Sequence, residues 1–192
     1  MTVERDQIRS VLESLLFVAE EPITLRRFEE ILDGIDRKEI ALFLEELKAD
    51  YESGVRGIRL AEIAGGYQLR TASENADWVK KLYQLKPQRM SRATLETLAI
   101  VAYRQPITRS EIEKIRGVDV GAVLATLLDR RLVRVVARKD VPGKPFLYGT
   151  TQEFLETFSL KDLSQLPTLK EAQELAQTLP QEPSPSEESP ES

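Results

Sequence analysis

An internal repeat sets the architecture of this chain. The segment LESLLFVAEEPIT, which starts at Leu12, aligns with LETLAIVAYRQPIT, which starts at Leu95, with a one-residue gap. Farther along, DGID at 33–36 aligns with RGVD at 116–119. A period of roughly 84 residues is too long for a solenoid unit and suits two copies of a small domain. The 192 residues have room for two such domains with separate cores.

The first copy predicts three short helices and a hairpin. Its first helix carries apolar residues at three- and four-residue spacing and ends before Pro22. The second and third helices are expected to begin at the capping residues Thr24 and Asp36. Two runs of alternating apolar residues, joined at Gly65-Gly66, then predict a β-hairpin.

The second copy predicts the same order. Pro106 ends its first helix, and Thr108 and Glu111 have the spacing of a capping box for the next. The loop VPGK at 141–144 supplies the turn between two strands. Three helices and a hairpin are the layout of a winged helix-turn-helix, so we expect a mainly α protein with small β-hairpins (α+β), built from two tandem winged helices.

The sequence divides into five expected segments. The last of them has four prolines, four glutamates and no basic or hydrophobic residue, a composition that cannot form a core. The segments are a first winged helix at 1–72, a helical linker at 73–90, a second winged helix at 91–160, a short helical extension at 161–179 and a disordered acidic tail at 180–192.

The net charge of −5 is unevenly distributed. Residues 1–86 hold 13 basic and 17 acidic side chains, and residues 160–192 hold 2 basic and 7 acidic ones. Residues 87–159 hold 12 basic and 8 acidic side chains, a net charge of +4. The second winged helix is therefore the electropositive part of the chain.

The composition argues against most catalytic chemistry. The chain has no cysteine and no histidine, which excludes disulfides, thiolate nucleophiles, imidazole bases and the usual zinc motifs. The adjacent carboxylates Glu45 and Glu46 point in different directions on a helix and form no acid-base pair. We expect no enzyme, no cofactor and no metal site. With no apolar signal core and no run near the ~20 residues that span a bilayer, a cytoplasmic protein is expected.

The third helix of the second copy lacks the side chains that read bases. Its outward face is small or acidic, and DNA-reading helices present Arg, Lys, Asn or Gln there. The core-facing residues are Val120, Val123, Leu124, Leu127 and Leu128, and the outward ones are Gly121, Ala122, Ala125, Thr126 and Asp129. In the first copy, carboxylates on the third helix would repel phosphates. Sequence-specific DNA binding by either third helix is therefore not expected.

Two surfaces are candidates for contact with another chain, because the core of a small domain does not account for them. The first helix of each copy has five consecutive apolar residues, LLFVA from Leu15 and LAIVA from Leu98, which cover more than one helix face. They predict an interface between units or between protomers, and the candidate dimer residues are Leu15, Leu16, Phe17 and Val18. The small face of Gly121, Ala122 and Ala125 allows close approach of another chain.

The basic side chains of the second copy have three interpretations. They form a phosphate-binding patch centred on the wing, a surface for an acidic partner peptide, or an ordinary solvated face. The set is Arg104, Arg109, Lys114, Arg116, Arg130, Arg131, Arg134, Arg138, Lys139 and Lys144.

The segment SRATLETLAIVAYRQPITRSEIEKIRGV, followed by LLDRRLVRVVARKDVPGKPFLYGTTQEFLETFSLKDLSQLP, resembles the segregation and condensation protein B family. The resemblance is dense from Ser91 to Pro167, recognisable through residues 8–71 and absent from the tail. The family is the bacterial accessory subunit of the structural-maintenance-of-chromosomes condensin complex. At 118–122 this chain has Val-Asp-Val-Gly-Ala where the family pattern is polar.

The resemblance implies a non-enzymatic homodimer, formed chiefly by the amino-terminal units. It implies that the carboxy-terminal units bind the kleisin subunit, segregation and condensation protein A, and through it the ATPase, at the nucleoid in the cytoplasm. The candidate partner-binding residues are Gly121, Ala122, Ala125, Thr126, Arg138 and Lys144. The alternative function is that of a DNA-binding winged-helix transcription factor or nucleoid protein that uses the basic second unit.

Overall fold

The computed structural model describes residues 5–53, 55–83, 90–168 and 171. Both copies show the same order of elements. The first contains α1 (Arg5–Val18), β1 (Ile23–Thr24), α2 (Leu25–Ile31), α3 (Arg37–Glu52), β2 (Ile58–Ile63) and β3 (Gly66–Thr71). After a short 3₁₀ helix, α4 (Ala76–Tyr83) follows. The second contains α5 (Arg92–Arg104), β4 (Ile107–Thr108), α6 (Arg109–Arg116), α7 (Gly121–Asp129), β5 (Val133–Arg138) and β6 (Phe146–Thr150), and α8 (Gln152–Thr157) follows it.

Each copy contains a three-stranded antiparallel sheet, ordered β1-β3-β2 in the first and β4-β6-β5 in the second. The predicted hairpins supply two strands each. The third is the Ile-Thr of each repeated Pro-Ile-Thr, with Ile23 opposite Tyr67 and Ile107 opposite Tyr148. The sequence pattern predicted only a helix end and a cap in these segments. A two-residue strand is too short to show alternation, which is why the pattern missed it.

The predicted helix starts are confirmed by their hydrogen bonds. Thr24 accepts from the amide of Arg27, and Asp36 accepts from the amide of Lys38. At α6 the capping box is complete, because Thr108 and Glu111 bond reciprocally through side chain and backbone. Each cap satisfies amides that the first turn of a helix leaves without intrahelical partners.

The tip of the first hairpin differs from the expected Gly65-Gly66. The turn residues are Ala64 and Gly65, with φ of 51° and 72°, as a tight turn between twisted strands requires. Gly66 is instead the first residue of β3. A side chain there would place its Cβ 2.9 Å from the carbonyl carbon of Ile23, so glycine lets β1 and β3 approach.

Each copy has its own hydrophobic core, which stabilises that copy. The members of these cores come from all three helices and the sheet of each copy. The first includes Ile8, Leu12, Leu16, Phe28, Ile40, Phe43, Leu44 and Leu47, and the second includes Leu98, Val101, Ile107, Ile112, Val120, Leu124, Leu127 and Phe154. Full burial of one such side chain stabilises the fold by about 1.5–3 kcal/mol. The domain boundaries that we drew around these cores remain a prediction.

The chain after the second sheet contacts the hairpin of the first copy. The amides of Ala64 and Gly65 donate to the carbonyls of Leu160 and Lys161, at 2.9 and 3.0 Å. Lys161 also forms an ion pair with Glu62 at 2.7 Å. The expected helical extension contains a short 3₁₀ helix, Leu163–Gln165. The rest of that extension, the acidic tail and linker residues 84–89 lie outside the described residues, and the described part of the linker contains α4.

A substitution at Gly149 in β6 tests how closely the second sheet is packed. An added Cβ would lie 2.8 Å from Oε1 of Gln105 and 2.9 Å from Cγ1 of Val136. Gln105 is held in place because its Oε1 accepts from the amide of Thr150 at 2.7 Å. We expect Gly149→Ala to lower the free energy of unfolding by about 1–3 kcal/mol in urea titration.

The matched control for this substitution is Gly57→Ala, whose Cβ would meet its nearest neighbour at 3.5 Å, an ordinary contact. It should change the free energy of unfolding by less than about 0.5 kcal/mol. Equal effects of the two variants would contradict the close packing at Gly149.

Candidate interaction surfaces

The outward face of α7 is a small-residue surface. Val120, Leu124 and Leu127 are buried, as the spacing predicted, whereas Ala122, Ala125 and Thr126 are exposed. The hydroxyl of Thr126 donates to the carbonyl of Ala122 at 3.0 Å, so it is engaged by its own helix. Another chain would therefore meet methyl groups and could approach the helix closely.

Gly121 does not belong to the open part of this face. The guanidinium of Arg109 lies over it, with its carbon 3.1 Å from the position of an added Cβ. Arg109 is held by ion pairs with Glu113 and Asp119. Asp119 also accepts from the amide of Gly121 at 2.9 Å and so caps α7, although Val120 occupies the cap position itself. The free surface of α7 therefore begins at Ala122.

The wing of the second copy, residues 133–150, exposes its basic side chains. The guanidinium of Arg138 lies 4.3 Å from the ring centroid of Phe146, a cation–π contact that orients it. Lys144 is exposed at the turn between β5 and β6, with a φ of 39°. These two predicted partner residues lie on the wing, apart from the small-residue face of α7.

An ion pair joins the base of the wing to α6. Lys139 Nζ lies 2.6 Å from Oε1 of Glu111. This bond, together with the bonds from the amide and hydroxyl of Thr108, lowers the pKa of Glu111 from its ordinary 4.5 to about 2. Glu111 therefore both caps α6 and fixes the start of the wing loop.

The ten basic residues of the predicted patch fall into two groups. Arg109, Arg116 and Lys139 form ion pairs within the chain. The others have no carboxylate partner among the residues that the structure describes, and they are Arg104, Lys114, Arg130, Arg131, Arg134, Arg138 and Lys144. Three cations thus take part in ion pairs of the fold, whereas the other seven form none within the described part of the chain.

The apolar run on α1 divides between core and surface. Leu16 is only 1% exposed and belongs to the core of its own chain, which leaves it no surface for a second one. Leu15 is half-buried against that core. Phe17 and Val18, by contrast, are 79% and 72% exposed. On α5, the equivalent run is mostly buried, so its expected excess of apolar surface is absent.

Two further pairs of apolar side chains are exposed, and neither was predicted as a contact surface. Trp78 and Leu82 are exposed one turn apart on α4, and Val135 and Val136 are exposed on β5. The spacing of Trp78 and Leu82 was a visible signal for the first pair. No signal marked the second, because a strand with alternating apolar residues predicts burial of one face.

The described residues contain no group of three or more Asp and Glu side chains arranged to hold a metal ion. Across the same residues, no helix has both the length and the apolar character needed to cross a bilayer.

This geometry defines a class of protein that is built from a duplicated small unit of helices and an antiparallel sheet. Both apolar and basic side chains are exposed at its surface. The family model described as "Segregation and condensation complex subunit ScpB" matches residues 10–169. The chain therefore belongs to the ScpB family, and the resemblance found in the sequence is confirmed.

Two similar proteins are both named segregation and condensation protein B. Segregation and condensation protein B of Myxococcus xanthus is 52% identical over 172 residues, which are 90% of this chain and 52% of that protein. The chain thus spans about half the length of this relative. The protein of that name from Syntrophotalea carbinolica is also 52% identical, over 88% of this chain and 85% of its own length.

Two solved structures are similar in sequence. A crystal structure of ScpB from Mycobacterium tuberculosis is 33% identical, covers 82% of this chain and 98% of its own, and has a TM-score of 0.42. A crystal structure described as a dimer of the ScpB N-terminal domain complexed with ScpA peptide is 32% identical, covers 40% of this chain and 95% of its own, and has a TM-score of 0.38.

Glu111→Gln tests the bond between α6 and the wing. Because the folded-state pKa of Glu111 is depressed to about 2, its carboxylate stabilises the fold above its unfolded pKa. That contribution is lost as pH falls from about 4.5 toward about 2. In urea titrations, we expect the variant to be less stable than the original chain at pH 7 and the difference to shrink across this window.

Glu52→Gln, at the exposed end of α3, is the control and should show no such difference at either pH. A Glu111→Gln deficit that stayed constant down to pH 2.5 would contradict the ion pair with Lys139 as its cause.

Proposed function

We propose that this chain is a non-enzymatic subunit of a bacterial condensin complex, a homodimer that binds the kleisin subunit ScpA and supports chromosome condensation and segregation at the nucleoid. The observation that carries the proposal is the family match over residues 10–169. Through the kleisin, the chain is joined to the ATPase of the complex. Its work is done by surfaces and involves no cofactor.

Both copies are proposed to be winged helix-turn-helix domains with different tasks. The order of three helices and a three-stranded sheet in each copy supports this assignment. The domain at 1–72 provides the dimer contact, the segment at 73–90 links the two, and the domain at 91–160 binds the kleisin. Leu160 at the end of the second domain and Lys161 at the start of the extension accept bonds from the amides of Ala64 and Gly65 in the first domain.

The kleisin contact is placed on the second domain because two kinds of surface lie there. Ala122, Ala125 and Thr126 form a face of methyl groups on α7, and the exposed cations Arg138 and Lys144 lie on the wing. Specific interfaces use both apolar and charged contacts, and the second domain offers one of each kind on separate elements. The solved ScpA peptide complex contains the N-terminal domain of its protein, so the first domain is the alternative location.

The dimer contact is placed on the end of α1. Phe17 and Val18 are adjacent, exposed and apolar, and burial of such side chains is the main driving force of association. Leu15 contributes at the edge, since it is half-buried against the core. Leu16 supports the helix from beneath.

DNA binding is the second candidate function. It is favoured by the cations on the wing that lack a carboxylate partner among the described residues, Arg134, Arg138 and Lys144. It is disfavoured by α7, whose outward side chains include none of the Arg, Lys, Asn or Gln residues that most often read base edges. Contact with DNA would therefore be confined to phosphates and would weaken steeply with salt.

Replacement of both Ala122 and Ala125 by arginine tests the kleisin surface. Two long charged side chains on the methyl face would block close approach, and we expect affinity for ScpA to fall at least about a hundredfold, as loss of an interface centre does. Isothermal titration of the full chain with ScpA from the same organism gives the dissociation constants.

Ala99→Arg, an exposed alanine on α5, is the matched control and should bind ScpA normally. Undiminished binding by the double variant would exclude the α7 face and move the contact elsewhere, with the wing as the next candidate.

Replacement of Phe17 and Val18 by lysine tests the dimer surface. Both side chains are exposed, so the fold should persist while the apolar contact is lost, and we expect the dimer dissociation constant to rise at least about tenfold. Sedimentation equilibrium measures the change. Ile115→Lys, an exposed apolar residue of the second domain, should leave the dimer intact. A dimer that is equally stable in both variants would rule out the end of α1.

A further inference from the structure

Strand β5 is an open sheet edge. It pairs with β6 on one side, and among the described residues no strand pairs with its other side. All five residues from Arg134 to Arg138 are exposed. In the equivalent edge strand β2 of the first domain, only Ile58 is exposed. The two copies share their topology, so the exposure of β5 is a property of the second copy and not of the fold.

A groove of about 870 Å³ lies beside β5. Residues 133–136 of β5 line it, together with Thr150 of β6 and Gln105 at the end of α5. Leu128, Leu163 and Ala64 also line the groove, as do α8 and the residue before it. The exposed valines at 135 and 136 make the floor apolar.

The bulge in β5 shapes this floor. The register shifts between Val135 and Ala137, which leaves Val136 as the extra residue. Val136 lies across Gly149, where an added Cβ would be 2.9 Å from its Cγ1. Two neighbouring valines are thereby exposed in place of the alternation of a regular strand.

Cations follow the same edge. Arg131 and Arg134 line the groove, and Arg138 lies at the far end of the strand, oriented by its contact with Phe146. None of the three has a carboxylate partner within the described part of the chain. Glu153 is the acidic residue in the lining. The edge therefore carries a surplus of positive charge beside an apolar strip.

We propose that the edge of β5 binds an extended acidic segment of the kleisin by strand addition. An incoming strand would bond to the outer amides and carbonyls of β5, as partner peptides do at open sheet edges. Its carboxylates would meet Arg134 and Arg138, and its apolar side chains would lie on Val135 and Val136. This inference rests on the proposed function and adds to it the binding mode and the chemistry of the bound segment.

Charged residues and bulges also serve to keep sheet edges from pairing. That role favours side chains that cover the edge, but here two valines stay exposed between the arginines. Positive charge alone also suits a phosphate backbone. A strip that combines backbone hydrogen-bonding groups, valines and arginines fits a polypeptide better than DNA, because phosphates use only the arginines.

Hydrogen–deuterium exchange of the full chain, with and without ScpA from the same organism, tests the binding mode. Strand addition should slow exchange of amides within 134–138, since those on the outer edge acquire carbonyl acceptors. A complex that forms by light scattering but leaves these amides unchanged would overturn the inference while the proposed function stands. Failure to form any complex would overturn both.

Charge reversal tests whether the arginines of β5 bind an acidic segment. We expect Arg134→Glu with Arg138→Glu to weaken ScpA binding by at least about tenfold. Lys114→Glu makes the same kind of change outside the groove and should have little effect. Circular dichroism melting checks that all variants fold. Equal binding by the two sets of variants would contradict the proposal.

Two further experiments test other occupants of the edge. The same variants are titrated with a 20-base-pair DNA duplex. The chain that lacks residues 180–192 is measured by hydrogen–deuterium exchange at 134–138, first without ScpA and then with it. Loss of salt-sensitive DNA affinity without loss of ScpA affinity would assign the edge to DNA. Faster exchange at 134–138 after deletion of the tail, with no further effect of ScpA, would assign it to the chain's own acidic residues. Either result would overturn the kleisin assignment.

Discussion

The repeated Pro-Ile-Thr segment is the constraint on which the fold of both copies depends. In each copy its isoleucine joins the sheet beside the central strand, and its threonine caps the second helix. Thr108 shows the combination most clearly, because it is buried, lies in β4 and completes the capping box with Glu111. The segment therefore ties the helices to the sheet at one point, and the three-helix core closes against the hairpin because of it.

From this common frame the two copies diverge at their surfaces. The first leaves two apolar side chains exposed at the end of α1 and covers its edge strand. The second buries most of the equivalent apolar run and exposes the edge strand, and the cations near that strand have no carboxylate partner among the described residues. Association through apolar contacts in one copy and capture of a charged, extended partner in the other are the two uses that these surfaces suit. The amides of Ala64 and Gly65 bond to the carbonyls of Leu160 and Lys161, so the hairpin of the first copy contacts the chain that follows the second sheet.

Local signals explain what the sequence could predict. The caps at Thr24, Asp36 and Thr108 and the core stripe of α7 were correct because each depends on residues within one or two turns. Burial across elements was harder. Leu16 resembled its exposed neighbour Phe17 in the apolar run, and only the approach of the other helices separates them. The arginine over Gly121 and the exposed edge of β5 likewise depend on tertiary contacts, which neither periodicity nor charge counts contain.

The central claim is that the chain is a dimeric scaffold for a kleisin, and light scattering coupled to size exclusion tests it directly. The chain is measured alone and mixed with ScpA from its own organism. We expect a species of twice the 21.8 kDa chain mass, and a larger discrete complex when ScpA is added. A 21.8 kDa monomer whose elution and mass do not change with ScpA would contradict the account.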